Sequence, residues 1–230
     1  MTGYTAITIR LISFWLKIAL CASPSRRKSG FNDVKAGMSV SMLMIMLIGC
    51  NTSPKEYFYT LSPKRAVAKR SDVDSITVPS IVVGPITLPE IVDRPQIVTR
   101  VGVNQVAIAE QHRWAASLKS EITQVLAENL SELLDNKSVS SYEGSSGARA
   151  DIQILLDVQR FDATLGETVT IDSLWLVRRA GGKSARGRSS EQETIRGDGY
   201  EGLIVAYSRA LATVSRDIAE AIRSTEMIRR

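Results

Sequence analysis

Cysteine is scarce in this sequence, and its placement limits how the fold can be stabilised. The two cysteines, Cys21 and Cys50, both lie within the first 50 of 230 residues. The chain beyond residue 50 therefore cannot form an internal disulfide and offers no thiol as a nucleophile or metal ligand. The about 170 residues that follow the second cysteine are enough for one domain, which must be stabilised by its hydrophobic core.

Histidine and catalytic motifs are scarcer still. His112 is the one histidine, and without cysteine or acidic partners at metal spacing it indicates a structural or surface role. The sequence has no Gly-x-Ser-x-Gly elbow, no phosphate-binding glycine loop followed by lysine, and no His-Glu-x-x-His. We therefore predict a protein that is not an enzyme and that binds no cofactor and no metal.

The positive charge of the chain is confined to its beginning. The whole sequence has a net charge of +5. Residues 1–49 contain six lysines and arginines against the single acid Asp33, so the remainder has no net charge. This balance argues against nucleic acid as a partner. One local basic stretch, Arg178, Arg179 and residues 183–188, contains glycines and predicts a solvent-exposed hairpin loop.

No apolar run reaches the ~20 residues of a membrane-spanning helix. Residues 39–49 are eleven uncharged, mostly apolar residues, and Cys50 and a polar, proline-containing segment follow them. This pattern is typical of a bacterial lipoprotein signal peptide, with Leu47-Ile48-Gly49-Cys50 as the lipobox. Gly49 leaves room for the processing enzyme, and the Cys50 thiol accepts the lipid. We predict that Cys50 is lipidated and begins the mature protein; an uncleaved anchor and a buried helix remain the alternatives.

The predicted signal region, residues 1–49, is longer than the ~15–30 residues of an ordinary signal peptide. Lys35 lies just before the apolar run, whereas the basic cluster at residues 26–28 lies far from it. We therefore expect translation to start near residue 34. A lipidated tether at residues 50–56, one domain at residues 57–223 and a short tail at residues 224–230 follow.

The spacing of apolar residues predicts an α+β fold. Alternation predicts strands, and apolar residues three or four apart predict two long amphipathic helices. The strands are expected at 57–61, 75–88, 96–100, 106–109, 151–161, 168–179 and 193–196. The first helical stripe runs from Trp114 to Leu134, and the second follows an Asp198/Glu201 capping box. The prediction is an antiparallel or mixed sheet with both helices packed on one face.

The segment from residue 83 to residue 100 is unusual because three prolines constrain its backbone. Pro95 also biases the residue before it toward extended geometry. The segment is interpreted either as a shaped crossing between strands or as a recognition edge for a partner. Its candidate residues, together with one in the following helix, are Pro85, Pro89, Asp93, Arg94, Pro95, Gln96, Arg100 and Trp114.

Several stretches together resemble a known family, the PqiC/YmbA-type lipoproteins. The resemblance covers nearly all of residues 50–222. The matching stretches are Tyr57-Phe58-Tyr59-Thr60-Leu61, Gly84-Pro85, Leu88-Pro89, Asp93-Arg94-Pro95-Gln96-Ile97-Val98-Thr99-Arg100, Arg113-Trp114, Arg160-Phe161-Asp162 and Trp175. The long N-terminal region departs from the family pattern.

The resemblance implies an auxiliary lipoprotein of ABC-type and MCE-type lipid transport in a Gram-negative envelope. Such a protein would be anchored to the periplasmic face of the outer membrane and would dock the channel formed by an MCE-domain protein. Asn51, rather than aspartate, after the lipidated cysteine is consistent with outer-membrane sorting. A homo-oligomer is compatible with this role. The alternative is a stand-alone periplasmic lipid-binding or envelope-integrity lipoprotein, which would need an apolar cavity between helices and sheet.

Overall fold

A computed structural model describes residues 54–63, 79–136, 138–142 and 150–227, with side chains up to residue 224. Cys50 and the predicted signal region lie outside the described residues. The strands are β1 (Tyr57–Tyr59), β2 (Ile81–Thr87), β3 (Gln96–Gly102), β4 (Gln105–Trp114), β5 (Val139–Ser141), β6 (Ile152–Thr164), β7 (Thr168–Arg179) and β8 (Ala185–Thr194). The helices are α1 (Leu118–Leu133), between β4 and β5, and α2 (Gly199–Met227) after β8. The predicted α+β class is confirmed, with the strands divided between two sheets.

The larger sheet is mixed and has the strand order β5-β2-β6-β7-β8. β2 pairs in parallel with β5 and β6, whereas β6, β7 and β8 are antiparallel neighbours. Along β6 the residues Ile152, Ile154, Leu156 and Val158 are buried, in the alternation that the sequence predicts. This sheet therefore has one buried face and one face toward solvent.

The smaller sheet has the order β1-β4-β3. β3 and β4 form the predicted hairpin, whose closing pair is Gly102 and Gln105. β1 is parallel to β4 and pairs with the last three residues of β4 alone. The chain thus enters the domain through a short edge strand.

The predicted helix start at Trp114 is wrong by four residues. Trp114 is the last residue of β4, because its backbone pairs with Tyr59 of β1. α1 begins after Ser117, whose Oγ accepts a hydrogen bond from the backbone N of Ser120 at 3.2 Å. The spacing of apolar residues could not distinguish a strand end from a helix start at Trp114. Trp114 lies four residues before Leu118, so it continues the apolar stripe of the helix.

Both helices pack on one face of the five-stranded sheet, α1 against β2 and β5 and α2 against β7 and β8. Every side chain at the centre of this interface is at most 2% exposed, and each contributes about 1.5–3 kcal/mol of burial free energy. These residues are Ile122, Leu126, Leu130, Ile154, Leu156, Val169, Ile171, Leu203, Tyr207, Leu211, Val214 and Ile218. These side chains occupy the centre of the interface, where the stand-alone lipid-binding alternative would need a cavity.

The basic stretch is only partly a loop. Residues from Ala185 onward belong to β8, contrary to the prediction, and Gly187 pairs with Trp175 of β7. A Cβ atom at Gly187 would lie 2.2 Å from Trp175 Cζ2, so the indole ring needs glycine at this position. The glycine interpreted from sequence as a loop residue is instead a packing requirement of a strand.

Neither helix within the described ranges is long and apolar enough to cross a membrane.

The residues just before β2 and β6, Ser80 and Asp151, are joined by hydrogen bonds. The Asp151 carboxylate Oδ2 accepts hydrogen bonds from Ser80 N and Ser80 Oγ, both at 2.8 Å. These bonds, the backbone one first, hold the pKa of Asp151 below its ordinary value of 3.8.

Because the pKa of Asp151 is lower in the folded protein, its hydrogen bonds from Ser80 contribute fully to stability at pH values above the ordinary pKa. This contribution is lost as the pH falls through the pKa of the folded state. We expect the free energy of unfolding of Asp151→Asn to fall less steeply below about pH 4 than that of the parent. Denaturant unfolding at a series of acidic pH values measures this, with the exposed Glu90→Gln as the control. Equal slopes for Asp151→Asn and the parent would contradict the assignment.

Candidate functional site

An aromatic cluster fixes β1 to the rest of the domain. Tyr59 Oη lies 2.7 Å from His112 Nδ1. The imidazole ring stacks on Tyr200 of α2 with a centroid distance of 3.9 Å, and on Tyr57 at 5.2 Å. Burial, followed by the neighbouring Tyr200 and Tyr57, raises the pKa of Tyr59 above 10.0, so its hydroxyl stays protonated at neutral pH and can donate to the imidazole.

A second contact holds the chain just after β1. The backbone N of Leu61 donates to Glu121 Oε2 at 2.9 Å, and the Glu121 side chain is buried at the first turn of α1. The strand nearest the predicted lipid anchor is therefore bound to both helices and to β4. The C-terminal end of the predicted tether, where β1 begins, therefore has a fixed position on the domain.

Pro85 lies in β2, after a cis peptide bond with Gly84. Gly84 has φ +121°, and a Cβ there would lie 2.8 Å from Tyr142 Cβ, so glycine is required at this close approach. Pro85 itself is exposed on the strand. This part of the predicted motif shapes the strand.

The turn from Pro89 to Pro95 orders the middle of the motif. The backbone N of Asp93 donates to Pro89 O at 3.2 Å, and that of Arg94 to Val92 O at 2.9 Å. The Asp93 carboxylate accepts from Lys119 Nζ of α1 at 2.6 Å. The motif is therefore held against the start of α1.

Trp114, the last predicted site residue, is part of the core. Its backbone N donates to Pro95 O at 2.8 Å, and its side chain is 5% exposed. The ring lies 6.3 Å from Phe161 and 6.4 Å from Tyr207, and these two rings stack on each other at 3.9 Å. Trp114 is thus enclosed by the domain and presents no surface to a partner.

Arg100 fixes the hairpin to β6. Its Nε and Nη2 donate to Asp162 Oδ2 at 3.1 and 2.8 Å, and its Nη1 donates to the backbone O of Val103 at 3.0 Å. Arg160 Nε also donates to Asp162 Oδ2, at 2.9 Å. Nearer the base of the hairpin, Gln96 Nε2 lies 3.4 Å from Glu110 Oε2. The Asp162 carboxylate thus accepts hydrogen bonds from both Arg100 and Arg160, and its bond to Arg100 orients the hairpin.

The far part of the hairpin exposes apolar side chains, and we refer to these four residues as the hairpin patch. They are Val101 at 57%, Val103 at 88%, Val106 at 36% and Ile108 at 39% exposure. Sequence reasoning missed the patch, because its alternation is the same as that of strands whose apolar face is buried. Among the described residues, β1 covers only the end of β4, so residues 105–111 have an open strand edge beside the patch.

The structure thus places the predicted motif residues in three parts of the domain. Asp93, Pro95 and Trp114 lie together at the junction of β3, β4 and α1, whereas Arg100 supports the hairpin and Pro85 lies apart on β2. Across the residues that the structure describes, no three His, Cys, Asp or Glu side chains are grouped closely enough to hold a metal ion.

These features define a class of protein. It is an α+β domain whose first strand, β1, is held at the edge of the small sheet by stacked rings, and whose β3–β4 hairpin exposes apolar side chains. The family model described as ABC-type transport auxiliary lipoprotein component matches residues 59–219. The chain therefore belongs to this family, and the resemblance inferred from the sequence is confirmed. The members of this family are auxiliary lipoprotein components of ABC-type transport, which is a role in the cell envelope.

Two solved structures support the fold. A crystal structure of an uncharacterized protein matches with a TM-score of 0.60 and 20% identity, covering 74% of this chain and 99% of the other. A protein from Xanthomonas campestris assigned to the DUF330 family matches with a TM-score of 0.55 and 14% identity, covering 76% and 100%. Comparison with curated proteins finds no match.

The enclosed position of Trp114 predicts a stability role. We expect Trp114→Ala to lower the free energy of unfolding by about 3–5 kcal/mol, because it leaves a cavity beside Phe161 and Tyr207. Trp114→Phe keeps most of the ring and should cost clearly less. Denaturant unfolding measures both, and an alanine variant as stable as the parent would show that the indole is not a core side chain.

Proposed function

We propose that this protein is anchored by lipid at Cys50 to the periplasmic face of the outer membrane and docks the channel of an MCE-domain protein. Its family membership supports the transport role, and the lipobox at residues 47–50 supports the anchor. Asn51 supports outer-membrane sorting. The proposed role is positional: the protein holds the distal end of a separate transport machine.

The short tether supports a domain held close to the membrane. Six residues, 51–56, separate Cys50 from Tyr57. The chain therefore makes seven Cα–Cα steps of at most about 3.6 Å each, so the tether reaches roughly 25 Å. β1 begins where this tether ends and is clamped by His112 and Tyr200. Because the tether is short and β1 is fixed to the domain, the anchor would restrict the rotation of the domain relative to the bilayer.

The hairpin patch is the observation that carries the docking proposal. Exposed apolar side chains on a supported element are typical of protein interaction sites. The open edge of residues 105–111 would also let an extended partner segment add a strand. The Arg100–Asp162 pair fixes the hairpin before the partner arrives, which lowers the ordering cost of binding.

An oligomer of this chain around the end of the channel belongs to the same proposal. A channel with several subunits would present repeated copies of its docking segment, and a ring of hairpins would match them.

The anchor is tested by Cys50→Ala. We expect the variant to lose membrane association, because the thiol is the proposed lipid acceptor, while the domain expected at residues 57–223 remains folded. Fractionation into soluble and membrane pools measures the first effect, and circular dichroism measures the second. Continued partition of the variant into the membrane would show that the upstream segment is itself an anchor.

The docking surface is tested by the double variant Val103→Asp and Ile108→Asp. We expect at least a tenfold loss of MCE-domain protein recovered with the lipoprotein under native extraction, because the charges would be buried at the interface. Val205→Asp on α2, whose parent side chain is 48% exposed, is the matched control and should not change recovery.

Two outcomes would contradict the docking proposal in different ways. Absence of association with the unaltered protein would remove the docking role altogether. Equal loss with Val205→Asp would leave docking in place but remove the hairpin patch as its site.

A further inference from the structure

The solvent face of the five-stranded sheet, opposite the helices, contains a groove of about 990 Å³. Its floor includes Leu155 of β6 and Leu174 and Leu176 of β7, and Pro85 of β2 lies at one side. Leu174 is 45% exposed. Because α1 and α2 cover the other face, these leucines are not part of the core that the helices close.

Arginines of β8 line the other side of the same groove. Leu176 pairs in register with Arg186, and Leu174 pairs with Arg188, so each outward leucine has a guanidinium beside it. The Arg188 side chain is 64% exposed and lies 4.0 Å from Asp172 Oδ2. Arg186 makes no hydrogen bond or ion pair with another described residue.

The acids nearby compensate this basic side only in part, since Asp172 lies near Arg188 and one carboxylate lines the groove. Asp157, the acid that lines the groove, accepts hydrogen bonds from Thr87 Oγ1 and from Gln159 Nε2. Arg178, the next outward residue of β7, adds a third cation and donates to Gln153 Oε1 at 3.3 Å. The mature chain has no net charge, so this cluster is a local feature and not part of a general basic surface.

We propose that this groove binds a single anionic phospholipid, with acyl chain along the leucines and phosphate against Arg186 and Arg188. The planar guanidinium group matches the oxygen geometry of a phosphate, and the leucines remove methylene groups from water. This binding goes beyond docking of a channel and does not depend on it.

The position of the groove favours a single lipid over the membrane surface itself. The tether enters beside Tyr200, at the first turn of α2. The groove lies over Trp175, which is joined through Ser189 to Asp217, about 25 Å further along the same helix. The anchored end and the groove are therefore at different places on the domain.

Photo-crosslinking in cells tests the proposal with the full chain. Leu174 is replaced by p-benzoylphenylalanine in cells grown with radioactive phosphate, and we expect a phosphate-labelled adduct that phospholipase removes. The diacylglycerol of the anchor contains no phosphorus and gives no background. Val205, which has a similar exposure of 48%, is the control position for the same probe and should give little label.

Removing the guanidinium groups tests the charge. Arg186→Gln with Arg188→Gln should lower the labelling at Leu174 at least fivefold, whereas Arg216→Gln, on the exposed side of α2, should not change it. The proposal is overturned by absence of label at Leu174, by equal label at Val205, by an adduct to a protein instead of a lipid, or by label that does not depend on the arginines. None of these results bears on recovery of the MCE-domain protein with the hairpin variants, so the two proposals fail separately.

Discussion

The structure depends on one constraint: two helices can cover only one face of a five-stranded sheet. The apolar stripes of α1 and α2 must be buried, and they meet the inward side chains of β6 and β7, such as Ile154 and Ile171, at 0% exposure. Because residues 51–230 contain no cysteine, they form no disulfide among themselves, and this single layer of side chains carries the stability of the domain. The outward face of the sheet is then left with leucines that none of the described elements covers.

A second consequence is that the small sheet must be held by specific contacts. β1, β3 and β4 lie outside the main sheet, and the hairpin reaches beyond the helix-covered core. Three contacts of different chemistry attach it: the stacked rings of His112 and Tyr200, the bond between Leu61 N and Glu121, and the Arg100–Asp162 ion pair. The ion pair is partly exposed, so by itself it adds little stability, but two guanidinium donors on one carboxylate oxygen fix the direction of the hairpin.

The sequence predicted those features that periodicity determines. β7 was predicted at residues 168–179 and is observed with the same bounds, because its apolar residues alternate and a glycine loop follows it. Trp114 was misplaced because a strand end and a helix start can share one spacing. Gly187 was interpreted as a loop residue because its packing partner, Trp175, is a neighbour only in the paired strands. The hairpin patch and the leucine groove could not be foreseen, since alternation predicts a buried face but does not say which faces the helices leave open.

The residues that carry the family resemblance and the surfaces available to partners are largely different residues. Asp93, Pro95 and Trp114 lie at the junction of β3, β4 and α1, where they supply an ion pair to Lys119, a carbonyl acceptor and an enclosed indole. The exposed positions that they support, Val103 above all, need only be apolar. A motif of this kind defines the scaffold, whereas substitutions at the exposed hairpin positions cost the fold little, because an 88% exposed side chain contributes almost nothing to the core.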